Sequence, residues 1–149
     1  MKRKILFLSI LSALMFQKGV SQSIIGTWKR TASVIINADG TQKDMQKMLN
    51  KALPCTAEVK YVFESDGKLY TQAPKNCLPS IATEVVSWSM KGAEITLTSK
   101  ASEAITGEPT TYTLNFKDGF VDFTHIYTSD ERIKWHVKAK KIVVTYKRI

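Results

Sequence analysis

The sequence predicts an all-β protein: eight antiparallel strands in up-and-down order, closed into a barrel, with a short helix between the first two. Three observations predict it. Gly26 and Trp28 stand two positions apart in Ile24-Ile25-Gly26-Thr27-Trp28-Lys29, so on a strand they share a face. Gly26 lacks a Cβ and lets another segment approach its backbone, while Trp28 supplies a large apolar surface to close a barrel floor. About seven further runs come after it with period-two alternation, separated by turn residues at short intervals. Each run has one apolar face, which suits a closed barrel of about eight strands. A Greek-key sandwich is the alternative.

One domain is expected from 149 residues. Residues 1–21 are set apart from it. Lys2, Arg3 and Lys4 precede an apolar run, Ile5 to Phe16, and Gly19-Val20-Ser21 has small residues where a signal peptidase reads. The run is about 12 residues, too short for the ~20 a spanning helix needs. The expected mature chain is residues 22–149, cut after Ser21, secreted or periplasmic, with no transmembrane segment. Its loss of Lys2, Arg3, Lys4 and Lys18 takes the formal charge from +9 to +5. Arg132, Lys134, Lys138, Lys140, Lys141, Lys147 and Arg148 crowd the last part of the chain. They read as a solubilising strand face with edge lysines, in preference to a patch for an acidic polymer or membrane. No RNP-like aromatic motif or helix-turn-helix pattern supports a nucleic-acid partner. Cys55 and Cys77 are the two cysteines, and an even count in an exported chain predicts a disulfide.

The first strand runs from about Ile24 to Ile36, with Trp28, Arg30, Ala32, Val34 and Ile36 on one face. Asn37-Ala38-Asp39-Gly40 is a turn. Lys43 to Leu53 reads as the helix: Met45, Met48, Leu49 and Ala52 form an apolar stripe at i, i+3, i+4 and i+7. Pro54 stops it. The second strand is Thr56 to Glu64, with Ala57, Val59, Tyr61 and Phe63 together. Ser65-Asp66-Gly67 is a hairpin turn into Lys68 to Ala73. A loop from Pro74 to Thr83 carries Cys77. Glu84 to Lys91 presents Val86, Trp88 and Met90; Gly92 turns the chain into Ala93 to Ser99. After a polar loop, Lys100 to Pro109, come Thr110 to Lys117, the hairpin signal Asp118-Gly119, and Phe120 to Tyr127. Thr128 to Arg132 reads as a loop. Ile133 to Ile149 reads as extended, with a phase slip at Lys138 to Lys141 that implies a bulge or short hairpin.

The Gly26-Thr27-Trp28 start, the Phe63-Glu64-Ser65-Asp66-Gly67 hairpin, Trp88 on a middle strand and the closing Val144-Thr145-Tyr146-Lys147-Arg148 together resemble the small exported lipocalin-like domain proteins of Bacteroidota. The resemblance covers the mature chain and implies an eight-stranded calycin barrel with an open mouth. It also implies that Trp28 sits at the barrel base beneath a basic residue of the last strand. Arg148 is the matching candidate, with a cation–π contact worth roughly 1 kcal/mol. Other lipocalin signatures are missing, and the resemblance carries no assigned chemistry.

The inward positions mix apolar and polar side chains, which suits a cavity better than a sealed core. Arg30, with Tyr112, His125 or Tyr127, is expected to hold the polar head of an amphipathic ligand, and its tail to lie against Trp88, Met90 and Phe123. Tyr61 completes the set. The alternative pairs Arg30 with an acid at the rim and makes His125 a satisfied core residue. Neither an enzyme, a metal site nor a cofactor is expected. Gly-x-Ser-x-Gly is absent, and His125 and His136 are 11 positions apart on expected opposite faces. The function expected is binding of a small hydrophobic or amphipathic ligand by a monomer. The alternative is a non-catalytic interaction or inhibitor module acting through barrel-end loops.

Overall fold

Alternating side chains and short turns give a sheet that curls until its first and last strands meet. A computed structural model describes residues 23–77, 85–99 and 109–149. The expected signal segment, residues 78–84 at the junction of the Cys77 loop with the next strand, and residues 100–108 of the polar loop lie outside the described residues.

The strands are β1 (Gly26–Asn37), β2 (Gln42–Asp44), β3 (Lys60–Phe63), β4 (Lys68–Gln72), β5 (Val85–Lys91), β6 (Glu94–Thr98), β7 (Thr110–Lys117), β8 (Phe120–Ile126) and β9 (Ala139–Arg148). β1 and β3 to β9 pair antiparallel in sequence order, and β1 also pairs with β9, which closes an eight-stranded barrel. The short β2 lies against the far half of β1. The helices are α1 (Met45–Ala52), a 3-10 turn at Pro54–Glu58, and α2 (Ser129–Lys134). The connections β3–β4, β5–β6 and β7–β8 share one end with the start of β1 and the close of β9, as the registers require. This is the base. α1, the Cys77 segment and α2 belong to the opposite end, the mouth.

The interior is packed from the base upward. Trp28, Phe63, Ile95, Val121 and Phe123 are almost wholly buried in one cluster with Leu69, Leu114, Val144 and Tyr146. Burying each large side chain is worth about 1.5–3 kcal/mol, so this cluster supplies the main cohesion. At the β7–β8 hairpin, Asp118 and Gly119 both take positive φ, 47° and 80°, as a type I′ two-residue turn demands.

Four sequence expectations are corrected. β1 carries a bulge: Arg30 opposes Tyr146, but Ala32 opposes Thr145, leaving Thr31 as the extra residue. Beyond it the phase inverts. Ser33, opposite the buried Val144, turns inward in place of Ala32, Val34 and Ile36. The expected second strand begins as a 3-10 turn through Glu58, because Pro54 opens that turn, and the ladder starts only at Lys60. The helix buries its expected stripe only in part: Met45 and Leu49 are half-buried, and the one buried residue is Gln46. Gln46 is 2% exposed while Met48 is 48% exposed, since α1 packs on β1 and on the 3-10 turn through Gln46 and Asn50. Gln46 Nε2 donates to Asn50 Oδ1 at 2.6 Å, and Thr56 Oγ1 reaches the same oxygen at 3.0 Å. Finally, the expected loop and strand at 128–138 fold as α2 and a turn, and β9 begins at Ala139.

The disulfide forms. Cys55 on the 3-10 turn joins Cys77 on the β4–β5 connection across 22 positions, and a loop of that size stabilises by about 3 kcal/mol in the chain-entropy account.

Candidate functional site

The base is closed where the start of the chain's first strand meets the end of its last. Arg148 places its guanidinium 4.5 Å from the Trp28 ring centre. It donates to the Ile25 carbonyl at 3.4 Å and to that of Ser23. Trp28 Nε1 donates to the Ile24 carbonyl at 2.7 Å. A Cβ on Gly26 would stand 3.1 Å from Arg148 Nη1, and its φ is +137°. The backbone conformation thus favours glycine, and a side chain here would also press on the Arg148 guanidinium. This end is a plug.

Above the plug, a file of rings climbs the interior. Arg30, the last inward residue of β1 before the bulge, lies 5.5 Å over Tyr61 on β3. Tyr61 meets Tyr146 edge-on at 5.2 Å, and Tyr146 meets Phe123 at 5.0 Å. Phe123 contacts Tyr112 at 5.9 Å, Tyr112 contacts His125 at 5.8 Å, and His125 contacts Tyr127 at 4.7 Å. Tyr127 then faces Trp135, just past α2, at 6.3 Å. Period-two spacing on β8 stacks Phe123, His125 and, just beyond its end, Tyr127; their partners come from β3, β7 and β9. Edge-to-face pairs of this kind add about 0.5–1.5 kcal/mol each beyond burial.

The file ends in a cavity of about 480 Å³ at the mouth, lined by Tyr112, His125, Tyr127, Lys134, Trp135 and His136 together with Thr110 and Val137. Its walls combine ring faces with polar groups: two phenols, two imidazoles, a hydroxyl and an ammonium. A second, shallower groove of about 470 Å³ lies between the β1–β2 turn and α2, lined by Asn37, Asp39, Arg132 and Ile133 among others.

Electrostatics track burial. Desolvation raises the phenol of Tyr61 above its ordinary 10.0, although Arg30 pulls the other way. Desolvation, aided by Tyr127, raises Tyr112 to about 12. Tyr146 is pushed higher still, by burial first and then by Tyr61, and Tyr127 rises through burial and the Glu131 charge. These four phenols are therefore neutral hydrogen-bond donors at neutral pH. His125 Nδ1 lies 2.7 Å from the Thr111 carbonyl; a carbonyl only accepts, so that nitrogen carries the proton. Its Nε2 stands 3.2 Å from Glu131 Oε1 but outside hydrogen-bond alignment. Burial alone would raise the Glu131 carboxyl; hydrogen bonds from Thr128 and the nearby His125 outweigh it and hold the group below its ordinary 4.5. Arg30 differs in kind. Its Nε is buried without a hydrogen-bond partner, and among the described residues no ion pair engages it.

Of the residues singled out from sequence, the structure gathers Arg30, Tyr61, Tyr112, Phe123, His125 and Tyr127 along one interior path. Trp88 lies lower: it meets Phe63 edge-on at 6.0 Å and donates from Nε1 to the Lys68 carbonyl at 3.0 Å. Met90 is apart from the path. It opposes Ile95 beside the β5–β6 turn at the base and is 40% exposed; alternation gives its face but not its height. Sequence reasoning misses Trp135, Lys134 and His136, because their segment reads as loop and strand. The signal is present: Thr128-Ser129-Asp130-Glu131 is a capping box, with Glu131 N donating to Thr128 Oγ1 and Thr128 N to Glu131 Oε2.

Among the described residues no cluster of three or more His, Cys, Asp or Glu is placed to hold a metal ion, and no helix is long and apolar enough to cross a membrane. No protein-family model matches the chain, and no curated protein matches it.

Proposed function

We propose that this chain is an exported, lipocalin-like carrier that binds a small hydrophobic or amphipathic ligand inside its barrel, as a monomer, without catalysis and without nucleic acid. The observation that carries this reading is the file of rings from Arg30 to Trp135 that opens into a mouth cavity of about 480 Å³. A volume above ~300 Å³ with a few convergent polar groups is the size and character of a ligand site. The disulfide near the mouth agrees with an oxidising compartment, and the N-terminal segment reads as a signal peptide cleaved after Ser21.

Native mass spectrometry of the purified mature chain, with subsequent extraction, is expected to reveal a co-purifying small molecule. Delipidated protein is expected to gain thermal stability with at least one of a fatty acid, a sterol or a haem-like ligand. No bound molecule and no shift with any of the three would defeat the reading. One observation favours a second: Ile126 and Ile133, at the mouth end, are 64% and 74% exposed, as suits an interaction or inhibitor module. That module becomes the preferred function if the barrel takes no ligand.

A further inference from the structure

We infer that the protein docks its mouth end on an anionic lipid bilayer, with Ile126 and Ile133 entering the headgroup layer and Arg132, Lys138, Lys140 and Lys141 meeting the lipid phosphates. The inference goes beyond the carrier reading and does not depend on a cargo.

The surface is built where three segments meet outside the barrel. The groove of about 470 Å³ between the β1–β2 turn and α2 is lined by Arg132, Ile133 and Lys138. A second groove, of about 380 Å³, is lined by Ile126, Lys140 and Lys141. Asn37 and Ala38 line both, so the two form one surface divided by the β1–β2 turn. Val137 lines the first groove and also the mouth cavity, which sets this surface beside the mouth. Strand register explains the mixture of residue types. Lys141 on β9 lies opposite Ile126 on β8 and Ile36 on β1, and directly opposed residues share a face, here the outer one. Lys140 is the extra residue where the register slips, since Ile36 opposes Lys141 but Asn37 opposes Ala139, and it stands exposed.

Charge and apolar exposure together select the occupant. Against the four basic side chains, the one acid lining the two grooves is Asp39. Its carboxylate already accepts from Thr41 Oγ1 at 2.7 Å and from the Thr41 backbone N–H at 2.9 Å. Asp130 follows on the first turn of α2, and Glu131 lies against His125. The ion pairs among the described residues are Lys29–Glu58, Lys68–Asp66 and His125–Glu131, so none of the four cations is in one. A second copy of the chain would bring like charges together, which disfavours it. Ile126 and Ile133 are the most exposed large apolar side chains among the described residues. They are separate tips, one at a strand end and one on a helix. Such tips enter the boundary of headgroups and acyl chains while the ammonium groups stay at the phosphate level. Lysine is a mobile point charge that suits headgroups free to move, whereas fixed carboxylates on a folded partner favour the arginine fork. Read from sequence these lysines are solubilising; solubility does not call for isoleucines exposed among them.

The test is co-sedimentation of the intact mature chain with vesicles of phosphatidylcholine alone and of phosphatidylcholine with phosphatidylglycerol. Binding to the anionic vesicles is expected to be at least about tenfold tighter, since each Lys or Arg near such a surface contributes about fivefold. Raising salt from about 0.1 M to about 1 M shortens the screening length from about 10 Å to about 3 Å and is expected to abolish it. The double variant Lys140→Gln, Lys141→Gln is expected to lose about tenfold or more, and Ile126→Ser, Ile133→Ser about fivefold or more. Lys117→Gln, Lys147→Gln removes the same charge from the base, where both residues oppose Phe120, and is expected to stay within about threefold of wild type. Equal binding to both vesicles, or to neither, overturns the assignment; binding to neither leaves the surface to an acidic protein partner. An equal loss in the base variant overturns the patch in favour of net charge. Full binding by the isoleucine variant overturns insertion, and with it a bilayer as the occupant.

Discussion

Gly26 and Trp28 lie two positions apart and Arg148 comes from the other end of the chain, and the three act as one unit. The glycine leaves room for a guanidinium that caps the indole and ties down two carbonyls. Arg148→Met keeps the length of the side chain and removes both roles. It is expected to lower stability by about 1–2 kcal/mol, read as a lower urea midpoint with an unchanged slope. Gly26→Ala adds a methyl where 3.1 Å separates it from Arg148 and forces an L-residue to φ +137°; its cost is expected to be about 1–3 kcal/mol. An unchanged midpoint in both variants would contradict this account of the plug. The shared face of Gly26 and Trp28 is legible in the sequence, because Gly-x-Trp on a strand fixes a face whatever the later strands do; Arg148 as their partner is what the family resemblance implies. Arg30 is legible as inward for the same reason. Its immediate neighbours are not: alternation suggests Tyr112, His125 and Tyr127 as its companions, and the file puts Tyr61 and Tyr146 between it and them. Period-two alternation says which side of a strand a residue occupies. It says nothing of height along a tilted barrel, which is why Met90 falls outside the path.

At the level of elements, α2 is the instructive case. Six residues are too few to hold a helix by propensity alone. Thr128 and Glu131 cap it reciprocally, and the last turn carries Arg132 and Lys134, whose charges suit a helix C-terminus. Glu131 Oε1 also lies 3.2 Å from His125 Nε2, which places the first turn of the helix beside the barrel wall. The Glu131 carboxyl lies below its ordinary 4.5 when folded. Its contribution is therefore complete at neutral pH and disappears as pH falls below 4.5 through the folded value. Glu131→Gln is expected to cost about 1 kcal/mol at neutral pH and to flatten the acid limb of the stability curve. A variant as stable as wild type at neutral pH and equally acid-sensitive would show that the Glu131 carboxylate contributes nothing. The capping box is readable in the sequence, but the extended look of Ile133 to Ile149 hides it. α1 differs for another reason. Its Met and Leu spacing suggests the buried stripe, while the neighbouring 3-10 turn offers Thr56, a hydrogen-bonding partner that favours Asn50 and Gln46.

For the molecule as a whole, the eight-stranded closure is legible because a series of turn-bounded runs with one apolar face has few other ways to hide it. What escapes are irregularities set by long-range pairing: the Thr31 bulge depends on β9, and β9 is the strand furthest from β1 in sequence. The buried phenols give the assembled barrel a signature of its own. Tyr61, Tyr112, Tyr127 and Tyr146 all titrate above 10.0 when folded. Folded protein therefore binds more protons than unfolded chain once pH exceeds about 10, and stability is full below that value and declines above it. For Tyr146 alone the decline is about 1.4 kcal/mol per pH unit while its proton is retained. Ultraviolet absorbance of tyrosinate is expected to rise later in native protein than in urea-denatured protein; coincident curves would contradict the buried file.

The seam between β1 and β9 also bears on assembly order. Arg148 answers to Ile25 across 123 positions, so the cylinder stays an open sheet with a raw edge until the final strand has emerged. Loop closure over such a distance makes folding slow. A chain wired this way tolerates being threaded through a narrow pore far better than one whose early segments lock up at once, and it is most exposed to edge-to-edge clumping in the interval before the seam zips shut.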